Sequence, residues 1–443
     1  MLKENNSIIL VDDNDDDLTR ISSIFGLKGI GCRTFQYDGF DFPNEPLSGV
    51  RMVFMDINLS NSGDQNSQFA VLTDALRKYV SKDNSYFVLV FWTTHVDYIE
   101  DFKAFVNRDA AADEMPKPML IVPLDKSQFI DNQNDLENKL AQIFDEKLVK
   151  CLFTFDEDIQ IAADRCLKNI VNLAPFDDHW GNNTNFETNV RNLFSKIAID
   201  YSGWKSAKTN PDKAIKEVIA PSFLYDLMGI NQNTWKDFLD LNGKTDEELK
   251  GISFSGDNTS AKLNTILNID PSTDDVESRG SVRRIKMDDN SKTYFQNAFS
   301  VSVEDFIKTK MVSLKDEQFI NEAIVIAIEI SAACDCSNDK SRLHRYMLGI
   351  ICKRKDYNDH VSNGKTKQIG EHIFIVPFDF IYENEVYCMI LNLNYTFSEE
   401  ATEVFGKLGN KIFGLKSEFM NSISEHYAQH ISRIGYAFFK NKQ

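Results

Sequence analysis

The chain has 443 residues, of which 42% are hydrophobic and 26% are charged, with a formal net charge of −18 at pH 7. These values suit a folded protein of two or three domains, and the acidic balance argues against nucleic acid as a partner. No apolar run is long enough for a membrane span or a signal peptide, and the seven scattered cysteines favour a reducing compartment, so we expect a cytoplasmic protein.

Short apolar runs alternate with helix-like stretches through about the first 130 residues. Continuous apolar strands separated by amphipathic helices are typical of a parallel sheet covered on both faces. We therefore predict an α/β unit with a doubly wound, five-stranded parallel sheet. The predicted strands are residues 7–11, 31–35, 50–55, 86–92 and 119–122, and two predicted helices are residues 18–25 and 69–80.

Five carboxylates lie within VDDNDDD, residues 11–17, directly after the first predicted strand. Carboxylates this close repel one another, and burying one is costly unless a positive group pairs with it. One interpretation is a solvated acidic turn that caps the next helix. The other is a site for a divalent cation, which the residues at the ends of the other strands favour.

Polar groups also follow the later strands of the predicted sheet. Asp56 follows the third strand, Thr93 the fourth and Lys126 the fifth. In a doubly wound sheet these strand ends meet Asp12 and Asp13 in one crevice. Carboxylates that hold Mg²⁺, a hydroxyl and an ammonium are the groups that phosphoryl transfer to an aspartate requires.

Residues 1–148 resemble a response-regulator receiver domain, a phosphate-accepting module with a flavodoxin-like fold. The resemblance rests on four segments in order along the chain, IILVDDN, VFMDINL, FWTTH and PLDKS. It implies that Asp56 accepts the phosphoryl group and that Thr93 and Lys126 contact it. It also implies a histidine kinase or a phosphotransfer protein as the phosphate donor.

The same resemblance implies a magnesium site. Asp12, Asp13 and Asp56 would hold Mg²⁺, and the backbone carbonyl of Asn58 would be a further ligand. Mg²⁺ binds through one or two carboxylates together with water and phosphate, so this set is sufficient. We expect residues 14–17 to cap the first helix rather than to bind metal.

Three departures from the family pattern put the usual output mechanism in doubt. Ser127 stands where the family has a proline after its lysine, and Pro123 stands where the family has an aromatic switch residue. The segment from Asp56 to Thr93 is also longer than usual. Phosphorylation stays chemically possible, but the usual coupling of a threonine to an aromatic ring cannot operate through Pro123.

Residues 149–443 are predicted to form a larger, mainly helical α+β region, with a possible division near residues 243–300. Residues 132–150 are predicted to form a helix that closes the first unit or leads out of it. The polar composition of residues 243–300 predicts long loops or a partly ordered insertion, to which 252–254 and 263–269 could add short elements. The other predicted elements are helices at 156–173, 186–199, 211–228 and 235–240, a buried run at 319–333, a hairpin of 371–381 with 386–393, and a last helix at 415–433 ended by Gly435.

The motifs of this region are weaker. Cys334, Cys336, His344 and Cys352 do not have a familiar zinc spacing, and the histidines of residues 426–430 suit an ordinary helix face. The segments AIEISAACDCSNDKSRLHRYMLGI, FIVPFDF and SEHYAQHISRIG are similar to the C-terminal region of large receiver-bearing bacterial proteins from phage-conflict gene neighbourhoods. That similarity assigns no active-site residue.

We therefore expect a bacterial two-component response regulator in which phosphorylated Asp56 controls a C-terminal output module, with phage defence as one option for its role. The module would act on a protein partner, and a homodimer is one option; we expect no membrane partner. Two alternatives stay open. The C-terminal region could be an enzyme gated by phosphorylation, a nuclease or a hydrolase, or the receiver could be an interaction scaffold that accepts no phosphate.

Overall fold

The computed structural model describes residues 7–60, 64–108, 112–129, 133–175, 185–230, 234–273, 278–312, 316–332, 343–359, 370–400 and 409–432. The backbone divides into two compact units. The first contains Met1–Leu167 and Phe223–Lys244, and the second contains Lys168–Ser222 and Thr245–Gln443. The boundary expected between residues 148 and 149 stays a prediction.

The first unit contains a five-stranded parallel sheet in the order β2-β1-β3-β4-β5. Its strands are β1 (Ile8–Asp12), β2 (Arg33–Gln36), β3 (Met52–Met55), β4 (Val88–Thr93) and β5 (Leu120–Asp125). This order is compatible with a flavodoxin-like fold, in which the chain winds one way from β1 to β2 and the other way from β1 to β3. The predicted α/β class is confirmed. Pro123 lies in β5, at an edge of the sheet, where a missing N–H is tolerated.

Helices cover both faces of this sheet. They are α1 (Asp15–Leu27), α2 (Gln65–Tyr79), α3 (Tyr98–Arg108), α4 (Gln133–Phe144) and α5 (Lys147–Val171). Ile9 and Val11 pack in one core with Phe69 of α2, whereas Ile8 and Leu10 pack in another core with residues of α1 and α4. Successive strand residues point to opposite faces, so burial of both faces explains the continuous apolar runs in the sequence.

The segment of the chain between α5 and residue 269 is mainly helical. They are α6 (Phe186–Thr209), α7 (Pro211–Met228), α8 (Thr234–Leu239), α9 (Asp246–Lys250) and α10 (Thr259–Asn268). Gly203, with φ at 77°, interrupts α6. The helix predicted at 211–228 coincides with α7, and the others in this stretch are confirmed with shifted ends.

The prediction of long loops over residues 243–300 is wrong. Besides α9 and α10, this segment contains the strands β6 (Ile269–Asp270) and β7 (Ser281–Arg284) and the helix α11 (Asp289–Phe299). Its polar residues cap helices: Thr245 and Glu248 form a reciprocal capping box, and Asp288 accepts a hydrogen bond from the Ser291 amide. Residues 252–254 belong to no regular element, while 263–269 lies mostly in α10.

The second unit contains an eight-stranded sheet in the order β10-β12-β9-β8-β7-β13-β6, with β11 paired to β12. Its pairs are antiparallel. The strands after β7 are β8 (Ile324–Glu329), β9 (Leu343–Lys353), β10 (Ile373–Ile375), β11 (Phe380–Tyr382), β12 (Glu385–Glu400) and β13 (Lys411–Leu415). Two hydrophobic cores pack against its two faces. A helical and antiparallel-sheet region therefore follows the parallel sheet, as predicted.

Short helices and one tight turn complete the second unit. The helices are α12 (Val303–Asp305), which continues into a π-helix (Phe306–Met311), α13 (Glu317–Glu322), α14 (Arg354–Tyr357) and α15 (Ser417–Ile431). The predicted hairpin is confirmed between β11 and β12, where Glu383 and Asn384 both have positive φ, as in a two-residue turn of type I′. The predicted last helix corresponds to α15, and Gly435 lies outside the described residues. Within the described ranges, no helix is both long and apolar enough to cross a bilayer.

Candidate functional site

The site lies at the carboxyl ends of the parallel strands. Asp12 is the last residue of β1, Asp56 follows β3 and Lys126 follows β5. Val11 pairs with Met55 across β1 and β3, and the Asp56 amide donates a hydrogen bond to the Val11 carbonyl at 3.1 Å. Because of this register, the residues after the two strands project from the sheet side by side.

Three carboxylates meet at this edge. One oxygen from each of Asp12, Asp13 and Asp56 lies within 4.8 Å of the others. Asp12 is 2% exposed and Asp56 is 8% exposed, whereas Asp13 is half-buried. Hard oxygen ligands at this separation suit a divalent cation that prefers oxygen, so the cluster could hold a metal ion.

Lys126 lies against the same carboxylates. Its Nζ is 2.7 Å from Oδ2 of Asp12 and 2.7 Å from Oδ2 of Asp56, and a third carboxylate, that of Asp17, approaches it to 3.0 Å. The lysine side chain is 9% exposed. A single buried ammonium is therefore shared by three carboxylates.

Asp12 and Asp56, the two most buried carboxylates of the site, each accept a hydrogen bond from a backbone amide on the oxygen that Lys126 does not contact. The Asn14 amide donates to Oδ1 of Asp12 at 2.9 Å, and the Asn58 amide donates to Oδ1 of Asp56 at 3.1 Å. In both cases the donor lies two residues after the aspartate, as in an Asx turn. The carboxylates are thus fixed by local backbone on one oxygen and by Lys126 on the other.

The site contains more negative than positive charge. Burial raises the pKa of Asp12 to about 7, although the hydrogen bond from Lys126 lowers it and the Asp56 charge raises it further. Burial alone would lower the pKa of Lys126, but Asp56 and Asp12 raise it well above its usual value. Arg20 Nη1 lies 3.6 Å from Oδ1 of Asp17, so Lys126 and Arg20 supply two positive charges against the four carboxylates of Asp12, Asp13, Asp17 and Asp56. A bound proton or a divalent cation is therefore favoured here.

Thr93 ends β4 at the same edge and is fully buried. Its Oγ1 accepts a hydrogen bond from the His95 amide at 3.1 Å, and Thr93 pairs with Asp125 in the sheet. The structure thus brings the predicted hydroxyl to the correct end of the sheet, in a local hydrogen bond. Its contact with a phosphoryl group stays a prediction.

Asp17 is the residue that the sequence interpretation missed. Asn14 does cap α1, because its Oδ1 accepts from the Asp16 amide at 3.0 Å, but Asp17 turns to Lys126 instead of serving the cap. Asp17 is the third residue of α1, in the acidic first turn that follows Asp12 and Asp13 along the chain. Its place in the run VDDNDDD was the signal in the sequence.

Ser127 lies directly after Lys126 and helps to fix it. The Ser127 amide and hydroxyl both donate to Oδ1 of Asp125, at 2.9 and 2.7 Å. These bonds lower the pKa of Asp125 and begin the short 3₁₀-helix Lys126–Gln128. Side-chain capping therefore supplies here the rigidity that proline would supply. Pro123 is exposed on β5.

The weaker motifs of the C-terminal region do not gather into a second metal site among the described residues. His344 contacts the buried Glu329, with Nδ1 3.2 Å from Oε1, and His430 contacts Asn394. His426 packs against Phe374 instead of facing His430. Cys334 and Cys336 lie outside the described residues. No protein-family model matches the sequence, and no curated protein matches it either.

Proposed function

We propose that residues 1–148 form a receiver domain whose Asp56 accepts a phosphoryl group from a histidine kinase or a phosphotransfer protein. Phosphorylation would control a C-terminal output module. One observation carries this proposal: Lys126 Nζ lies 2.7 Å from both Asp12 and Asp56, at the edge where Asp12, Asp13 and Asp56 converge within 4.8 Å.

The donor set fits Mg²⁺. Asp12, Asp13 and Asp56 would hold the ion, with the Asn58 carbonyl as a further ligand, and the excess of carboxylate charge over the single ammonium favours a divalent cation. When bound, the ion supplies positive charge that neutralises the phosphoryl oxygens and the accepting carboxylate.

The protein's own residues would perform the remaining steps. An oxygen of Asp56 attacks the phosphorus as the bond to the donor's histidine nitrogen breaks, and the Asn58 amide holds the other end of the carboxylate. Lys126 then donates to a phosphoryl oxygen in place of Asp56. Because Lys126 begins a 3₁₀-turn directly after β5, its movement would alter the surface formed by β5 and α4, which is the proposed route to the output.

The test is phosphorylation by acetyl phosphate with Mg²⁺, followed by intact-mass analysis. We expect the wild-type chain to gain one phosphoryl group, and Asp56→Asn to gain none. Asp113→Asn is the matched control, because the Asp113 side chain is 93% exposed and pairs only loosely with Lys117 at 3.5 Å. Equal labelling of wild type and Asp56→Asn would refute the assignment of Asp56.

Binding of beryllofluoride, which mimics a phosphoryl group, distinguishes this proposal from the alternative of an interaction scaffold. Binding that requires Mg²⁺ and is lost in Asp56→Asn supports an active receiver. No binding at millimolar concentrations, by a protein that is folded by circular dichroism, supports a scaffold that accepts no phosphate.

The alternative of a phosphorylation-gated enzyme gains no support from the open cavity of about 820 Å³ in the second unit. Arg354 and Asp379 form an ion pair at this cavity, and Lys353 pairs with Glu385 at 2.9 Å. These charged groups neutralise one another in pairs instead of converging on one point. An output through protein contacts is therefore the proposal that we retain.

A further inference from the structure

Two cysteines face each other across neighbouring strands of the second sheet, near the last residue of β9. Cys352 of β9 and Cys388 of β12 are direct partners in an antiparallel pair, and both are free thiols. They are 2% and 0% exposed, and their Sγ atoms lie 3.4 Å apart. The pair belongs to no function described above.

The two thiols have unequal environments. The Cys388 thiol lies 3.6 Å from the Cys352 carbonyl, to which it donates. The hydrogen bond from Cys352 lowers the pKa of Cys388, and the Arg354 guanidinium lowers it further, although burial opposes this. The same hydrogen bond, together with burial, raises the pKa of Cys352 well above its usual value. Cys388 is therefore the thiol that ionises first.

We propose that Cys352 and Cys388 form an oxidisable dithiol, at which a peroxide produces a disulfide across strands β9 and β12. Residues directly opposite in an antiparallel pair have Cα atoms about 4.5–5.5 Å apart. This range lies within the separation of about 4.4–6.8 Å that disulfides require. The backbone can therefore stay in place while the two sulfur atoms approach each other.

The chemistry balances with one peroxide. The Cys388 thiolate attacks a peroxide oxygen, the O–O bond breaks, and the released hydroxide takes a proton to leave as water, so that Cys388 becomes a sulfenic acid. The Cys352 sulfur then attacks the Cys388 sulfur and expels the sulfenic hydroxyl, which takes the Cys352 proton and leaves as a second water. Two thiols are oxidised, and one hydrogen peroxide is reduced to two waters.

An open cavity of about 820 Å³ lies beside the residues that follow Cys352, because Lys353 and Arg354 line it. Both thiols are buried, so the proposed reaction requires an oxidant that is small and uncharged, such as hydrogen peroxide, to pass from this cavity to the pair. Once formed, the disulfide would join two neighbouring strands, β9 and β12, close to the last residue of β9.

The test is a hydrogen peroxide titration of the full chain, followed by peptide mapping without reduction. We expect a linked pair of peptides that contain Cys352 and Cys388, formed at doses that leave Cys151 and Cys166 unmodified, and reversed by dithiothreitol. Cys151 and Cys166 are suitable internal controls because both are buried thiols outside any disulfide. Modification of Cys151 or Cys166 before any link between Cys352 and Cys388 would overturn the proposal.

Single variants test the order of the two steps. In Cys352→Ser, oxidation of Cys388 should end at the sulfenic acid, which dimedone labels. In Cys388→Ser, we expect at least tenfold less dimedone labelling at Cys352. Cys166→Ser is the matched control and should form the link as wild type does. Equal labelling in the two variants would overturn the assignment of Cys388. If a variant does not fold, the wild-type peptide map decides the proposal alone.

Discussion

Charged residues have different surroundings in the two sheets. In the parallel sheet, charged residues lie beyond the strand ends, where Asp12, Asp56 and Asp17 all contact Lys126. In the antiparallel sheet and beside it, charged residues form separate pairs, as Lys353 does with Glu385 and Arg354 with Asp379. Separate pairs satisfy charge and stabilise a fold, whereas several like charges around one counter-ion leave an imbalance that a ligand can remove. The difference supports the proposal that the edge of the first sheet binds a cation and a phosphoryl group.

Removal of the shared ammonium should have the largest effect. Lys126→Met leaves buried Asp12 and Asp56 without their cation, and breaking a buried ion pair costs about 3–5 kcal/mol. We expect urea unfolding at pH 8 to show a loss of that size, which Mg²⁺ partly restores, together with a loss of labelling by acetyl phosphate.

The matched change in the second sheet is Arg354→Met. Its partner Asp379 has a side chain 29% exposed, so water can solvate the carboxylate that is left behind. We expect a loss of about 1 kcal/mol, typical of exposed pairs, that Mg²⁺ does not restore. A similar response to Mg²⁺ in both variants would contradict the contrast between the two sheets.

Stability without divalent cations should depend on pH through Asp12. Its folded pKa of about 7 lies above the ordinary value of 3.8, so the folded state binds more protons than the unfolded state between these values. The free energy of unfolding should therefore fall as pH rises from about 4 to about 7, and then level off for this residue.

This pH dependence can be assigned with one variant. Asp12→Asn removes the titrating group, so the slope of the urea midpoint between pH 5 and pH 8, measured with EDTA, should become shallower than that of the wild type. Asp379→Asn is the control in the second unit and should keep the wild-type slope. An unchanged slope in Asp12→Asn would show that the burial of Asp12 does not govern this range.

Mg²⁺ itself should stabilise the wild-type protein. A ligand that binds only the folded state at one hundred times its dissociation constant adds about 2.7 kcal/mol. We expect a rise of this order in the free energy of unfolding, reversed by EDTA. Asp12→Asn should lose most of the rise and Asp379→Asn should keep it. A similar rise in both variants would place the ion elsewhere.

The first sheet could be predicted from sequence because its three central strands, β1, β3 and β4, are buried on both faces and so appear as uninterrupted apolar runs. Its site could be predicted because parallel strands bring their ends to one edge, whatever the distance along the chain. The ends of the elements shifted by one or more residues, as in β5, which extends to Asp125.

The second sheet could be predicted only in part. The hairpin of β11 and β12 is local and has a recognisable turn, but β7 pairs with β13 across more than a hundred residues, and no local pattern specifies such a pairing. Polar helix caps, as at Thr245, were interpreted as loops. The contact of Asp17 with Lys126 was missed for a related reason, since its acidic position in the first turn of α1 also suits a cap.

Asp17 provides the smallest test of the shared-charge arrangement. Its carboxylate lies 3.0 Å from Lys126 Nζ with 13% of the side chain exposed, and a unit charge about 7 Å from a divalent ion contributes roughly 1 kcal/mol in water. Asp17→Asn should therefore weaken Mg²⁺ binding by about threefold to tenfold, measured by calorimetry, without abolishing labelling of Asp56. Asp16→Asn is the matched control, because Asp16 is exposed and its known role in the cap uses only its backbone amide. If both variants bind Mg²⁺ as the wild type does, Asp17 only anchors Lys126, and the imbalance of charge rests on Asp12, Asp13 and Asp56.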